Sequence, residues 1–391
     1  MKLTLPVSHL LAALTDANGC VESRPTLPVL SHVYIAANAE TYDVTVAATN
    51  LEQFIYVNVG GATVEESGAW TVPAQLMLDF VKTLPKDESC TLELSKNTLG
   101  ALNISCGKAE ADIKGISADE FPMRPSVFEN GNTIARFSAS DLLNNLKRVA
   151  YAAATDESRP VQTGVYIKSE EGTLSLCTAD GYRLALIEKE TNQPEGQFIL
   201  PASTAKELLK LLGDLDGEVT LDLAVQANAV LWRLGYCDLV SQLIEGKYVN
   251  YRQIVPGLNT HKTRITVDRN ELTRALNTAK LFGKEYSKGK QPFALVLFDL
   301  APLEGYEEGT LRISATSVEL GDYEAALRVG VDGEANFRSA FNTYFVLDAV
   351  KACGTDRVVF EFTEGTRPAV VKPDGDDTYT CVIMPMHRRE D

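Results

Sequence analysis

Apolar and polar residues alternate along this chain in short runs, interrupted by longer stretches in which apolar residues recur at helical spacing. The run Thr173-Leu174-Ser175-Leu176 predicts a strand that leads into Cys177, and Asp180-Gly181 supplies a turn whose glycine accepts positive φ. This turn is expected to project Tyr182, Arg183 and Leu184 together as a contact surface. Residues 44–52 and 311–319 repeat the pattern, each an alternating run that enters a small polar turn. Aligned on Asn50, Asp180 and Ser317, the copies lie 130 and 137 residues apart, which predicts a threefold repeat.

The repeat extends to the helices. Each third opens with a strand and an amphipathic helix: residues 2–6 then 8–16, 133–137 then 139–152, and 264–267 then 269–282. Leu14, Leu146 and Leu276 stand at one phase of these helices, spaced by 132 and 130, with Ser8, Ser140 and Asp268 as expected N-caps. Glu22-Ser23-Arg24-Pro25 recurs 135 residues later as Glu157-Ser158-Arg159-Pro160, and the third copy has Lys288-Gly289-Lys290-Gln291-Pro292 there. A second helix is predicted in each third over residues 72–84, 200–212 and 341–352, with Pro73 and Pro201 at helix starts, where a missing N–H costs nothing. Each third thus reads β-α-β-β-β-β-α-β-β-β, an α+β pattern. Turn-rich seams fall at 120–131 and 251–262, and residues 300–309 form an acidic insertion in the last third.

A chain of 391 residues is too long for one ordinary core and suits two or three domains of roughly 100–200 residues. No apolar run approaches the ~18 residues of a membrane helix, and the first residues predict a strand and not a signal peptide, so a cytoplasmic protein without a membrane partner is expected. Seven cysteines without a C-x-x-C pair predict buried free thiols, and the four histidines lack metal-ligand spacing. A net charge of −16 argues against coating nucleic acid by bulk attraction, while a local cluster of Lys and Arg on one face would still hold it loosely.

Phosphate loops, nucleophile elbows, zinc-binding helices and dinucleotide fingerprints do not occur in the sequence. Asp376-Asp377 and Glu307-Glu308 lie in turn-like contexts that suit solvated carboxylates. The residues therefore offer no catalytic set, metal site or cofactor motif. A multidomain hydrolase with an unrecognised carboxylate site is the alternative reading from another class.

Several motifs occur in order: Arg24-Pro25-Thr26-Leu27-Pro28-Val29-Leu30, Thr49-Asn50-Leu51-Glu52, Asp180-Gly181-Tyr182-Arg183-Leu184-Ala185, Tyr251-Arg252-Gln253-Ile254-Val255-Pro256, Phe341-Asn342 with Val346-Leu347-Asp348, and Val382-Ile383-Met384-Pro385-Met386. In this ordered set the chain resembles the bacterial sliding-clamp family, the beta subunits of the replicative DNA polymerase, over essentially its whole length. The resemblance implies a clamp fold with domains at 1–126, 127–256 and 257–391. It implies a head-to-tail homodimer closing a ring around double-stranded DNA, held without sequence preference, and a non-catalytic processivity role.

By motif position, the resemblance implies a dimer interface between Ala111 and Ile113 on one side and Leu281 and Phe282 on the other. Candidate DNA-facing cations are Lys82, Lys147, Arg148, Lys206, Lys210, Arg274, Lys280 and Lys351 on helices, with Arg24, Arg159, Lys288 and Lys290 on loops. A groove for short peptide motifs of polymerase subunits, clamp loader and repair proteins maps onto Ala179, Gly181, Tyr182, Arg183 and Leu184, onto Val249, Gln253 and Ile254, and onto Val382, Ile383, Met384, Pro385 and Met386. The chain departs from the family pattern at Tyr182, Ala179, Val249, Gln253 and Gln162, where His, Thr, Pro, Arg and an aliphatic are usual, so peptide preference is expected to differ. Residues 387–391 extend the usual terminus.

Overall fold

The structure, a computed structural model, describes the whole chain apart from residues 23, 96–99, 123–134, 214, 216–219, 227, 256–260, 284–292, 303–307, 335 and 387–391. Lys288 and Lys290, most of the first expected seam and part of the second, the centre of the acidic insertion and the charged tail therefore lie outside the described residues. The chain folds into two compact units, one of residues 1–143 with 203–243, the other of residues 144–202 with 244–391. Main-chain pairing accounts for this grouping, because strands of the middle third join strands of both outer thirds.

In the first unit a five-stranded antiparallel sheet runs in the order Thr63–Glu66, Lys2–Pro6, Ser89–Leu94, Ala101–Cys106, Ala109–Lys114. A nine-stranded sheet includes His32–Ala37, Val44–Thr49 and Gln53–Asn58, the last paired with Cys237–Gln242 through Ile55 opposite Leu239. In the second unit a single twelve-stranded sheet includes Thr173–Ala179, Arg183–Glu190 and Tyr379–Ile383, with Leu184 opposite Val382. It also includes Glu308–Ser317 and Gly321–Gly333. Period-two patterning sets these faces: Leu3 and Leu5 of the first strand are buried while Lys2, Thr4 and Pro6 are half-buried.

Six helices are described: α1 (Val7–Ala17), α2 (Ala74–Lys82), α3 (Ala139–Val149), α4 (Ala202–Gly213), α5 (Arg269–Phe282) and α6 (Thr343–Cys353). Helix α1 packs on α2, and α5 on α6. Leu14, Leu146 and Leu276 are all buried core residues, as their shared phase predicts.

The helix starts differ from expectation in two repeats. Asp268 caps α5, accepting from the Glu271 N–H at 2.8 Å. Ser8 does not cap α1; Pro6 occupies the cap position with extended backbone, and the helix begins at Val7. Ser140 lies inside the first turn of α3, its hydroxyl 2.9 Å from that of Ser138. Pro73 and Pro201 end the strands before α2 and α4, one residue outside the helices. Helix α3 stops at Val149, where a tighter turn over Ala150–Ala152 replaces its expected last turn.

Candidate functional site

The three repeated turns share one piece of chemistry. Asn50 Oδ1 accepts from the N–H groups of Glu52 and Gln53 at 3.1 and 2.7 Å. Asp180 Oδ1 accepts from Tyr182 and Arg183, both at 2.9 Å, and Ser317 Oγ accepts from Leu320 at 3.2 Å. A short polar side chain at the first turn position thus satisfies backbone donors that the hairpin end would leave bare. The residue three places on is Gln53, Arg183 or Leu320, and its side chain distinguishes the copies.

The expected joint display of Tyr182, Arg183 and Leu184 requires correction. Tyr182 alone projects, at 57% exposure, while Leu184 is 1% exposed within its strand. Arg183 folds back. Its Nε donates to Asp180 Oδ2 at 3.0 Å, its Nη1 to Asp348 Oδ2 at 2.7 Å and its Nη2 to the Tyr151 carbonyl at 2.8 Å. The guanidinium also lies 4.4 Å from the Phe345 ring centre and 5.2 Å from that of Tyr151. Burial works against this charge, but the bonds and charges of Asp348 and Asp180 outweigh it and raise the pKa. Arg183 is a fixed brace at this turn, not a free polar edge.

Around the brace the expected groove residues assemble in part. Ala179, Leu184 and Val382 are buried in one apolar cluster with Tyr248 and Tyr251, and Val249 packs against it. Tyr166 stacks on Tyr248 with ring centres 4.9 Å apart. Val382 and Ile383 are core, whereas Met384, Ile254 and Gln253 are exposed and Pro385 and Met386 half-buried. The Met384 N–H donates to the Tyr182 carbonyl and that of Met386 to Ala340, both at 2.8 Å, so the terminal segment is tied down on both sides. Tyr182 and Met384 therefore present their side chains from one backbone-linked platform. Gly181 sits at φ 89°, and a Cβ there would come within 3.1 Å of Arg159 Nη1, which places this loop cation beside the turn.

Sequence reasoning missed Tyr151, Phe345 and Asp348 as parts of the site. Asp348 stood in a recognised motif, but nothing in its spacing linked it to a turn 165 residues away. Tyr151 also joins a buried polar pair, its hydroxyl 2.7 Å from that of Tyr379 and 3.3 Å from Cys381 Sγ. Burial pushes both phenols well above their usual range.

The candidate cations divide. Arg24, Arg159, Lys82, Lys147, Lys206, Arg274 and Lys351 are exposed. Arg148, in contrast, pairs with Asp376 at 2.9 Å and lies over the Tyr379 ring. Lys210 donates to the Thr15 carbonyl at 2.7 Å and pairs with Glu207, and Lys280 lies 5.5 Å from the centre of the Tyr344 ring. Arg148, Lys210 and Lys280 are thus engaged within the chain, and the exposed Lys82 pairs with Asp79 at 3.3 Å. Lys82, Lys147, Arg148, Lys210, Lys280 and Lys351 occupy last helical turns, where the helix dipole favours a cation in any protein.

Of the expected interface residues, Ala111 lies half-buried on Ala109–Lys114, an edge strand that pairs only with Ala101–Cys106 among the described residues. Ile113 of that strand is buried at 4% exposure. Leu281 is exposed, and Phe282 stacks on Tyr323 at 5.8 Å. Tyr323 belongs to residues 321–329, which pair with Glu308–Ser317 on one side only among the described residues.

All seven cysteines are free and buried. Burial pushes the Cys381 thiol to about 11, and those of Cys90, Cys237 and Cys353 to about 12. Among the described residues no group of three metal-ligating side chains converges, and no helix is long and apolar enough to cross a membrane.

Comparison with known proteins bears directly on this architecture. Family models for the N-terminal, central and C-terminal domains of the DNA polymerase III beta subunit match residues 1–125, 137–250 and 252–387. The chain is 29% identical to the beta sliding clamp of Synechococcus elongatus over the full length of both, and 26% identical to that of Staphylococcus aureus over 99% of both. Its fold superposes on the DNA polymerase sliding clamp of Bacillus subtilis with a TM-score of 0.87 at 26% identity, covering 99% of each chain. The beta subunit of Thermotoga maritima gives 0.86 at 25% identity with the same coverage. The fold is thus the α+β, three-domain clamp fold, and the hydrolase alternative loses its support. Three successive domain matches, in the order and register of the internal repeat, make this chain a member of the DNA polymerase III beta subunit family, the beta sliding clamps, which are non-catalytic processivity factors of DNA replication.

Proposed function

We propose that two copies of this chain join head to tail in a closed ring around duplex DNA, with domain limits near 126 and 256. One observation carries the reading. Strand Gln53–Asn58 pairs with Cys237–Gln242, and the corresponding strand Arg183–Glu190 pairs with Tyr379–Ile383. Among the described residues, the third equivalent, residues 321–329, and the strand Ala109–Lys114 each keep a bare edge within their own unit. A second copy supplies what each edge lacks, and a heterologous contact of this kind closes when internal pseudo-symmetry continues through it. Leu281, Phe282 and Ala111 flank that junction.

The ring would hold DNA by linkage, with weak contacts from exposed cations such as Arg24, Arg159, Lys147, Lys206, Arg274 and Lys351, and so without sequence preference. The platform of Tyr182 and Met384 beside the buried Leu184–Val382 pair, with the exposed Ile254, would receive short apolar peptide motifs of polymerase subunits, clamp loader and repair proteins in the cytoplasm. The test is retention: the protein is loaded on nicked circular DNA with its loader, and the DNA is then linearised. Rapid loss from free ends is expected; retention on linear DNA would contradict a sliding ring.

A further inference from the structure

Two exposed leucines occupy corresponding places at a joint that the single chain leaves open. At the first closed joint, Gln53 Nε2 donates to Thr204 Oγ1 at 2.8 Å. At the second, the Arg183 guanidinium stacks on the Phe345 ring at 4.4 Å. Gln53 and Arg183 hold one position, third after the capping residues Asn50 and Asp180. Thr204 and Phe345 also hold one position, third after Pro201 and Asn342, the residues that end the strands before α4 and α6. Each joint is therefore clasped by the same turn residue reaching the same helix residue, with different chemistry.

At the third turn the corresponding residue is Leu320, third after the capping Ser317. The helix position left over is Leu76, third after Pro73, which ends the strand before α2. Leu320 is 61% exposed and Leu76 55% exposed, two of the few large apolar side chains that the chain leaves in water. Val318, wholly exposed on the same turn, enlarges the apolar tip.

Resting on the ring reading, we infer that Leu320 of one copy packs on Leu76 of a second copy, an apolar clasp that closes the intermolecular joint. The occupant is a second copy because both bare strand edges lie in the same repeat frame as the two leucines, and because the two exposed residues match in chemistry. An amide–hydroxyl pair and a guanidinium–ring pair serve joints whose two halves belong to one chain. An apolar pair suits the joint whose halves must meet from solution, since it needs no buried charge to be desolvated.

The full-length chain tests this by sedimentation across concentration, using wild type, Leu76→Asp, Leu320→Asp and the double variant Leu76→Cys with Leu320→Cys. The native thiols are buried and do not compete for mild oxidation. A dimeric wild type is expected, with each aspartate raising the dimer dissociation constant roughly tenfold or more. Oxidation of the cysteine pair, but of neither single cysteine variant, is expected to give a covalent dimer on a non-reducing gel. A dimeric wild type with unchanged aspartate variants and no cross-link overturns the clasp and leaves the ring standing. A monomeric wild type without cross-linking overturns the ring reading and the clasp with it.

Discussion

Arg183 Nη1 meets Asp348 Oδ2 at 2.7 Å, so a guanidinium set by a hairpin turn is locked to a carboxylate on helix α6. The same guanidinium caps the Tyr151 carbonyl and lies on the Phe345 ring, which gives one side chain four separate partners including Asp180. Arg183→Ala is expected to lower stability by about 2 kcal/mol, the cost of unpairing part-buried partners after allowance for the exposed side of Asp348. Arg183→Lys should recover little of it, since an ammonium cannot hold the fork. Urea midpoints of the two variants check both statements.

Met384→Ala should weaken a clamp-binding peptide roughly tenfold with no change in dimer mass, because it truncates an exposed anchor on the tied terminal segment. Tyr182→Ala should act in the same direction. Leu184→Ala is a poorer probe, since its side chain is core and its loss should cost about 2–5 kcal/mol of stability. Fluorescence anisotropy with a labelled peptide, beside a melting curve, separates the two effects.

Gly181→Ala should destabilise by roughly 1 kcal/mol through its positive φ, with little added clash because the neighbouring Arg159 tip can move. Gly196→Ala, where the chain is open and φ ordinary, is the control and should be near neutral.

The paired and the exposed cations should separate in salt titrations of DNA binding. Charge removal at Lys206 or Arg274 is expected to reduce the salt slope by up to about 0.9 for each phosphate no longer neutralised. Removal at Arg148 or Lys210 should leave that slope unchanged and lower stability, since Asp376 and the end of α1 lose their partners.

Alkaline pH should unfold the chain through its thiols. A thiol whose folded pKa is raised by burial stays protonated in the native state while the unfolded chain ionises. The stabilisation is thus complete below the ordinary value near 9 and is lost as pH rises toward the folded values of about 11 and 12. Melting temperature should be flat below about pH 8.5 and fall steeply above about pH 9. At about pH 8 a thiol reagent should find almost no reactive cysteine until denaturant is added.

The architecture was legible because it repeats. Three turns in register and the phase of Leu14, Leu146 and Leu276 revealed a periodic frame, and period-two patterning marked the buried faces. The apolar cluster beside the turn was legible where its residues are neighbours in sequence, as at Ala179 and Leu184. The site was illegible at Tyr151, Phe345 and Asp348, whose roles depend on which helix faces the turn, a fact of tertiary packing with no local signature. The opposite error arose at Leu184. The turn at Asp180-Gly181 suggested an outward side chain there, and close packing captured it instead.

The two joints within the chain share one geometry and use different side chains, and this bears on how a repetitive chain avoids assembling itself wrongly. Strand Arg183–Glu190 could in principle add to the edge that serves Gln53–Asn58, since both follow the same turn. Doing so would set a guanidinium against Thr204 with neither Asp348 nor Phe345 to receive it, and would leave Gln53 beside an aromatic ring. Mispaired repeats, a common trap for sequences built by internal duplication, would thus strand a charge and a buried amide. The side chain three residues into the turn, Gln53 in one copy and Arg183 in the other, thus matches each strand to its own neighbour and to no other.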